Sequence, residues 1–406
     1  GGAAAERPIE RPAPATRGFF CARATLRENG RQVAEAATGF CVIEPVNERD
    51  PFFGIDPNGL TPDLLEALRW IGVGSLGIHA WWGVPKGALG DVKGYVQAQV
   101  KKQLSPYLES DFNLVGYLKI DPGFHPRWAR EETLARRQKG LFPYPDALLE
   151  VIGDVAEAEA LAMKDRVRTW IIQEEIDAWV NNPKAPAGSG TCELARHVLM
   201  TRIAYERLKK VDPGFVVAGL SVCGDYRGDP PYPLVRRVMP ELRGHLDLLA
   251  PDAYCGAYDF TRDVVTGPEA GRLREALLAT RRVQAASGLG KELIIAEKGL
   301  GVAYHAPPDG PTNQAMADFT ARSLIVARSA WPVKFYSHYL SAGSALWHIQ
   351  KRGYPSDDDN PVTDFGMWKR TMDGQRRQHY QPRPVVAAYA TVARVLAGTD
   401  EPAELP

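Results

Sequence analysis

The sequence predicts an α/β fold, a (β/α)8 TIM barrel that carries a small N-terminal β appendage. From Pro51 onward, short apolar runs alternate with amphipathic stretches, which is the pattern of β-α units that build a parallel sheet. Eight such runs are present, and eight strands close a barrel. A doubly wound sheet usually has fewer strands and a Gly-rich phosphate turn after the first one, and that turn is missing.

The predicted barrel strands are apolar runs bounded by polar or turn-forming residues. They are residues 52–55, 75–79, 114–120, 167–173, 215–221, 246–254, 292–299 and 333–339. Helix signals lie between them: Thr61 is a predicted N-cap followed by Pro62 at the first helical position, and Gly288 is a predicted stop. Residues 145–164 are a further predicted helix, and the last one begins at about Pro384.

The chain is expected to divide into three parts. Residues 1–17 are a flexible tail, residues 18–50 form the β appendage, and residues 51–400 form the catalytic barrel. Within the appendage, Asn29-Gly30 supplies the positive φ angles that a tight hairpin needs. A hairpin cannot bury two faces alone, so it is expected to pack on the barrel or to complete a β-sandwich.

Charge and hydrophobicity exclude several classes of partner. Lys+Arg and Asp+Glu both number 49, so no net field attracts nucleic acid or an anionic membrane. No apolar run approaches the ~20 residues of a membrane span, and the N-terminal tail lacks a hydrophobic signal core. We expect a neutral or mixed substrate, with no nucleic acid and no membrane span.

The cysteines predict neither a disulfide scaffold nor a metal site. There are five, and none lies in a Cys-x-x-Cys or Cys/His pattern with zinc spacing, so no metal and no cofactor are expected. Cys21 and Cys41 flank the hairpin, while Cys223 and Cys255 end consecutive strands. Either pair has a position that allows a bridge, but free thiols are the favoured state.

Two of the eight strand ends carry glutamates directly after an apolar run. The fourth run continues into Gln173-Glu174-Glu175, and the seventh into Glu297-Lys298. Barrel enzymes place catalytic groups at these ends. Glycoside hydrolysis with retention needs two carboxyl groups about 5 to 5.5 Å apart, one to protonate the leaving oxygen and one to attack the anomeric carbon. We predict Glu175 as the general acid/base and Glu297 as the nucleophile.

The same residues carry a resemblance to a known group. Trp170 with Glu175 five residues later, and the stretch around Glu297, resemble clan A of the glycoside hydrolases, most nearly the family 39 type, in which strand four reads Trp-x-x-x-Asn-Glu-Pro. The resemblance implies a (β/α)8 barrel, a retaining hydrolase of oligo- or polysaccharides and therefore a carbohydrate substrate. A secreted or periplasmic location is expected from this activity alone. Two positions depart from it: Glu174 stands where Asn is usual, and Gly77 stands where an Arg supports the nucleophile. An alternative register makes Gln173 the Asn surrogate and Glu174 the acid, whereas the tryptophan spacing favours Glu175.

The mechanism requires a protonated acid beside an ionised nucleophile. A charged Glu174 next to Glu175 raises the pKa of one of them by like-charge repulsion, and Lys298 is expected to favour the charged form of Glu297. Sugar rings stack on aromatic side chains, so aromatic and imidazole rings at strand ends are candidate contacts. With Glu174, the candidate substrate-binding residues are His79, Trp81, Trp82, Tyr254, Tyr258, His305, His338 and Trp347. Asp225 and Asp252 are further candidates to bind hydroxyl groups.

Three other functions stay open. A non-catalytic carbohydrate-binding barrel is the main alternative, because the usual Asn and Arg are replaced. A metal-dependent barrel hydrolase is disfavoured because no His-x-His pattern lies at the first strand. The third is a structural module in which the barrel only displays the appendage.

Overall fold

The computed structural model describes most of the chain. The described residues are 14–57, 61–79, 83–119, 127–129, 131–132, 146–173, 175–177, 189–223, 232–255, 257–259, 264–303, 306–330, 332–342, 363–372 and 378–399. The strands are β1 (Gly18–Glu28), β2 (Arg31–Val42), β3 (Phe53–Asp56), β4 (Ser75–Ile78), β5 (Asn113–Lys119), β6 (Val167–Gln173), β7 (Val216–Gly219), β8 (Leu248–Leu249), β9 (Ala257–Asp259), β10 (Val264–Thr266), β11 (Leu293–Lys298), β12 (Val302–Ala303), β13 (Val333–Tyr339), β14 (Thr363–Asp364), β15 (Trp368–Met372) and β16 (Gln378–Pro382). The helices are α1 (Pro62–Trp70), α2 (Val92–Leu108), α3 (Asp146–Met163), α4 (Ser189–Val211), α5 (Pro233–Leu242), α6 (Leu273–Ser287), α7 (Pro311–Ser329) and α8 (Pro384–Leu396).

Eight parallel strands form the barrel, in the order β11-β13-β3-β4-β5-β6-β7-β8. The ring is completed between its two outermost strands by a parallel bridge between Asp252 and Glu297, beside a hydrogen bond of 3.2 Å from Ala296 N to the Pro251 carbonyl. Every predicted apolar run overlaps one of these strands, so the predicted barrel is confirmed. Its closure falls at a predicted catalytic residue.

Small residues allow large side chains to fill the barrel. One apolar cluster occupies its interior: Val115, Tyr117, Ile171, Ala218, Leu248, Ala250, Ile294, Ala296 and Phe335. A Cβ added to Gly77 of β4 would lie 2.4 Å from Cε2 of Tyr117, and one added to Gly54 of β3 would lie 2.1 Å from Cε2 of Phe335. The glycines therefore provide the space that the two rings occupy. A larger cluster buries the outer faces of the strands under the helices.

The predicted helix signals are present in the structure. The Thr61 side chain accepts a hydrogen bond of 3.3 Å from Leu64 N and so satisfies one free amide of α1. At the end of α6, Gly288 adopts a positive φ of 73°, which a glycine tolerates without steric cost. The last helix begins at Pro384, as predicted. Among the described residues, no helix is long and apolar enough to cross a membrane.

The N-terminal appendage is an antiparallel hairpin of β1 and β2. Its turn places Asn29 and Gly30 at φ values of 49° and 78°, which confirms the predicted hairpin turn. The base lies against α8, where a groove is lined by side chains of both elements. The far end is exposed: Leu26 is 63% exposed and Val33 is 50% exposed. Cys21, Cys41, Cys223 and Cys255 are free thiols.

The contact between Gly77 and Tyr117 generates a stability prediction. We expect Gly77→Ala to lower the free energy of unfolding by about 1–3 kcal/mol, because the added methyl group overlaps a ring confined inside the barrel. Gly87→Ala is the control, since a Cβ there meets nothing within 4 Å. Urea unfolding followed by far-UV circular dichroism measures both. Equal stability of the two variants would contradict the assigned packing.

Candidate active site

Glu297 lies at the mouth of the barrel, near the C-terminal end of β11. It is 9% exposed. Its carboxylate accepts a hydrogen bond of 2.8 Å from Nε2 of Gln173, which ends β6, and one of 2.7 Å from the phenol of Tyr254, which follows β8. The side chains at the ends of strands four, six and seven therefore meet in one place. The two donors hold the carboxylate in a fixed orientation.

The electrostatics of the site leave Glu297 near the middle of its titration at neutral pH. Burial raises the pKa of Glu297 to about 7, and the charges of Asp56 and Glu175 act in the same direction. The charge of Lys119 and the hydrogen bond from Tyr254 oppose the rise. Lys119 ends β5, and its Nζ lies 3.5 Å from a carboxylate oxygen of Asp56 at the end of β3.

Lys119, and not Lys298, is the cation that favours the charged form of Glu297. Successive side chains of a strand point to opposite faces, so Lys298 turns away from Glu297. Its Nζ donates to the carbonyls of Ala253 (2.9 Å) and Cys255 (3.3 Å) and lies 4.5 Å from the ring centroid of Phe319 on α7. Burial lowers its pKa to about 8. The expectation for Lys298 is therefore wrong, because its side chain belongs to the layer between strands and helices.

Glu175 is half-buried beside the end of β7. Its Oε1 accepts a hydrogen bond of 2.6 Å from the thiol of Cys223, and Asp177 accepts one of 3.0 Å from the Cys223 backbone amide. The charge of Glu175 also raises the pKa of Glu297, so the two groups lie within electrostatic reach of each other. Glu174 lies outside the described residues.

The position of Gln173 bears on the choice of acid. Its amide donates to the Glu297 carboxylate, so Gln173 lies at the mouth, where the alternative register needs the Asn surrogate that precedes Glu174. Its second polar atom, Oε1, is buried and has no hydrogen-bond partner among the described residues. An acceptor is thus present beside Glu297 for a hydroxyl group of a ligand. Glu175 as the acid stays a prediction, and Glu174 stays its alternative.

Tyr117 occupies the space next to Gly77, where the resemblance places an arginine. The ring needs the room that this glycine leaves, and its hydroxyl donates a hydrogen bond of 2.5 Å to the carbonyl of Ala296, the residue before Glu297. Positive charge reaches Glu297 from Lys119 on the third barrel strand instead. The lysine was missed in the sequence, where it reads as the polar end of an apolar run.

Asp252, named in the sequence only as a candidate for binding hydroxyl groups, is a third carboxyl group of the site. It is fully buried, and its backbone forms the bridge with Glu297 that completes the barrel. Neither oxygen of its carboxyl has a hydrogen-bond partner in the part of the chain that the structure describes. Burial raises its pKa well above the usual range, and the charges of Glu297 and Glu175 add to the rise.

The predicted sugar contacts divide into three groups. Tyr254 lies at the site, where it donates to Glu297. His79 directly follows β4, and burial together with the charge of Lys119 holds the pKa of its imidazole well below the usual value. His338 is a correction: it is fully buried, and its ring packs edge-on against Tyr389 of α8, 6.4 Å away, so it faces the helices and not the mouth.

For the third group of predicted sugar contacts, the structure does not describe the side chains. Trp81, Trp82, His305, Trp347 and Asp225 lie outside the described residues, and only the backbone of Tyr258 is described, within β9. Tyr339, the last residue of β13 and the neighbour of His338, does lie near the site. The charges of Glu297, Asp56 and Glu175 raise the pKa of its phenol, after burial itself.

Comparison with known proteins places the fold among glycosidases. No protein-family model matches the sequence, and no curated protein matches it. Among solved structures, a family 39 glycoside hydrolase from Bacteroides cellulosilyticus WH2 matches with a TM-score of 0.58 at 16% identity, over 94% of this chain and 71% of the other. The β-glucosidase of Thermotoga maritima in complex with deoxynojirimycin matches with a TM-score of 0.55 at 12% identity, over 82% of this chain and 85% of the other.

A third similar structure is the hyperthermophilic β-glucosidase of Pyrococcus furiosus, with a TM-score of 0.54 at 13% identity, over 84% of this chain and 83% of the other. Identities this low establish the fold and not the activity. The barrel is thus similar in structure to those of glycoside hydrolases, which confirms the resemblance at the level of the fold.

The hydrogen bond from Tyr254 generates a pH prediction. Tyr254→Phe removes a donor to the ionised carboxylate, so the pKa of Glu297 should rise from about 7, by about one unit. Titration of the carboxyl 13C signal that is absent in Glu297→Gln measures this directly. Glu297 is the predicted nucleophile, which must be ionised to attack, so the rising limb of kcat/KM is expected to move to higher pH by the same amount. Tyr205→Phe, on the outer helix α4, should leave the titration unchanged.

Proposed function

We propose that the chain is a retaining glycoside hydrolase that cleaves a glycosidic bond of an oligo- or polysaccharide by double displacement. Glu297 is the nucleophile, and the pair Glu174-Glu175 provides the general acid/base. The observation that carries the proposal is the Glu297 carboxylate, buried at the barrel mouth and oriented by Gln173 and Tyr254. The fold that this chain has in common with a family 39 glycoside hydrolase and with two β-glucosidases supports it.

In the first step, Glu297 attacks the anomeric carbon while the acid protonates the departing oxygen. Gln173 and Tyr254 donate hydrogen bonds that fix the attacking carboxylate, so it loses little orientational freedom on reaching the transition state. Lys119 favours the ionised form that attack requires. In the second step, the former acid takes a proton from water, which displaces Glu297 and restores the anomeric configuration.

Two observations bear on which glutamate is the acid. Glu175 lies within electrostatic reach of Glu297 and accepts a hydrogen bond from Cys223, which supports its presence at the mouth. The contact of Gln173 with Glu297 supports Glu174, the next residue along the chain. We expect one of the two to protonate the leaving oxygen.

The nucleophile is tested with a panel of aryl glycosides and oligosaccharides. The first product should have the anomeric configuration of the substrate by NMR, and Glu297→Ala should lose at least about 10³-fold in kcat/KM. Azide should restore turnover of this variant and yield a glycosyl azide of inverted configuration. Glu292→Gln, an exposed partner of Lys334 before the same strand, is the control and should keep full activity.

An inverted first product would overturn the retaining mechanism. Glycan binding that survives in a protein without turnover on any substrate would instead support the non-catalytic carbohydrate-binding barrel.

The acid is identified by comparing Glu174→Gln with Glu175→Gln. For the variant that lacks the acid, kcat/KM should fall by about 10²–10⁴-fold on substrates with poor leaving groups and far less on activated aryl glycosides, which depart without protonation. The other variant should show equal changes on both substrate types. A pair of variants that both retain full activity on poor leaving groups would contradict the assignment of the acid to this segment.

A further inference from the structure

Three neighbouring barrel strands are followed by residues whose side chains can bind a divalent metal ion. Glu175 follows β6, Cys223 follows β7 and Asp252 follows β8, and these strands are adjacent in the sheet. One ligand atom from each residue lies within 4.8 Å of the other two. The three groups therefore converge from separate strands on one small volume at the barrel mouth.

Asp252 points to a missing partner in this volume. Its carboxyl is fully buried, and neither oxygen is hydrogen-bonded within the described part of the chain. A buried carboxyl group without a partner carries a large desolvation cost, which proteins usually offset with hydrogen bonds, a countercharge or a metal ion. Repulsion by Glu297 and Glu175 increases that cost, and a cation among these groups would reverse it.

Cys223 decides the kind of ion. Its thiol donates to Glu175 at 2.6 Å, while its backbone amide is held by Asp177, so the sulfur is oriented towards the carboxylates. A sulfur ligand disfavours Mg²⁺ and Ca²⁺, which prefer oxygen, and suits Zn²⁺. Tetrahedral zinc with bonds of about 2.0–2.3 Å needs ligand atoms roughly 3.4–3.6 Å apart, so modest side-chain rotations within the 4.8 Å limit suffice.

We propose that Glu175, Cys223 and Asp252 form a binding site for Zn²⁺ at the barrel mouth. Binding replaces the proton of the Cys223 thiol: the S–H bond breaks, the proton leaves to solvent, and the thiolate binds the metal, with no change in oxidation state. Three protein ligands leave a fourth position for water. Because the ion would bind one of the two candidate acids and lie close to Glu297, it should inhibit glycoside hydrolysis.

Metal binding itself is measured without any substrate. Zn²⁺ alone is titrated by calorimetry into the full-length protein after chelator treatment, and one ion per chain should bind. Cys223→Ser should weaken binding at least about tenfold, because the soft ligand is lost. Cys41→Ser is the matched control, a half-buried thiol at the base of the hairpin, and should bind as the wild type does.

Co²⁺ provides a spectroscopic readout that a purely structural role of the cysteine would not produce. The protein loaded with Co²⁺ should show a thiolate-to-metal charge-transfer band, which Cys41→Ser keeps and Cys223→Ser loses. Asp252→Asn should weaken Zn²⁺ binding while thermal unfolding reports that the variant is folded. If Asp252→Asn fails to fold, the Cys223→Ser titration and the cobalt spectrum still decide.

Absence of Zn²⁺ binding at millimolar concentrations would overturn the site, and so would equal affinity of the wild type and Cys223→Ser. These outcomes are independent of the proposed hydrolase, because no turnover is needed. If hydrolysis is found, Zn²⁺ should inhibit the wild type, a chelator should restore it, and Cys223→Ser should be resistant. Activation of the wild type by Zn²⁺ would overturn the inhibitory role.

Discussion

The burial of the Glu297 carboxylate at the closure of the barrel is the constraint on which the site depends. Desolvation drives the group towards its neutral form, yet the proposed attack on the anomeric carbon requires the charged one. Gln173, Tyr254 and Lys119 supply two hydrogen bonds and a positive charge, and each comes from a different strand. These groups come from separate strands, so the site depends on the closed barrel to bring them together.

The packing beneath this carboxylate shows what occupies the place of the arginine that the resemblance expects on the second strand. Gly77 leaves the space that the ring of Tyr117 fills, and the Tyr117 hydroxyl bonds the carbonyl of Ala296. A guanidinium is thereby replaced by a ring that fixes the backbone beside Glu297 and by a lysine that provides the charge. Lys119 in turn is paired with Asp56, which moderates its effect on Glu297.

The sequence predicts what local patterns encode. Apolar runs between turn signals identify all eight barrel strands, Thr61 and Gly288 mark helix ends, and a glutamate directly after an apolar strand identifies Glu297. Which face of a strand a residue occupies is harder, because the sheet is buried on both sides and its strands show no alternation of polar and apolar residues.

The predictions for His338 and Lys298 are wrong for that reason. Both lie at strand ends among polar residues, and both face the helices, where each contacts an aromatic ring. The backbone bridge of Asp252 with Glu297 and the hydrogen bond of Cys223 with Glu175 could not be predicted either, because the two residues of each pair are far apart in the chain and no spacing motif joins them. Lys119 was missed for the same reason: its effect depends on proximity across the barrel and not on its neighbours in sequence.

The charge balance of the mouth connects the proposed chemistry with the proposed metal site. Four carboxyl groups lie near Lys119, which is the cation identified among the described residues at the mouth: those of Asp56, Glu175, Asp252 and Glu297. These carboxyl groups cannot all ionise together without a large electrostatic cost. Protons offset the excess in the hydrolase, where one carboxyl group must keep its proton to act as an acid. A divalent cation offsets the same excess by displacing protons. The two states therefore compete for one set of negative charges, and a metal that stabilises the mouth removes the proton that glycosidic cleavage requires.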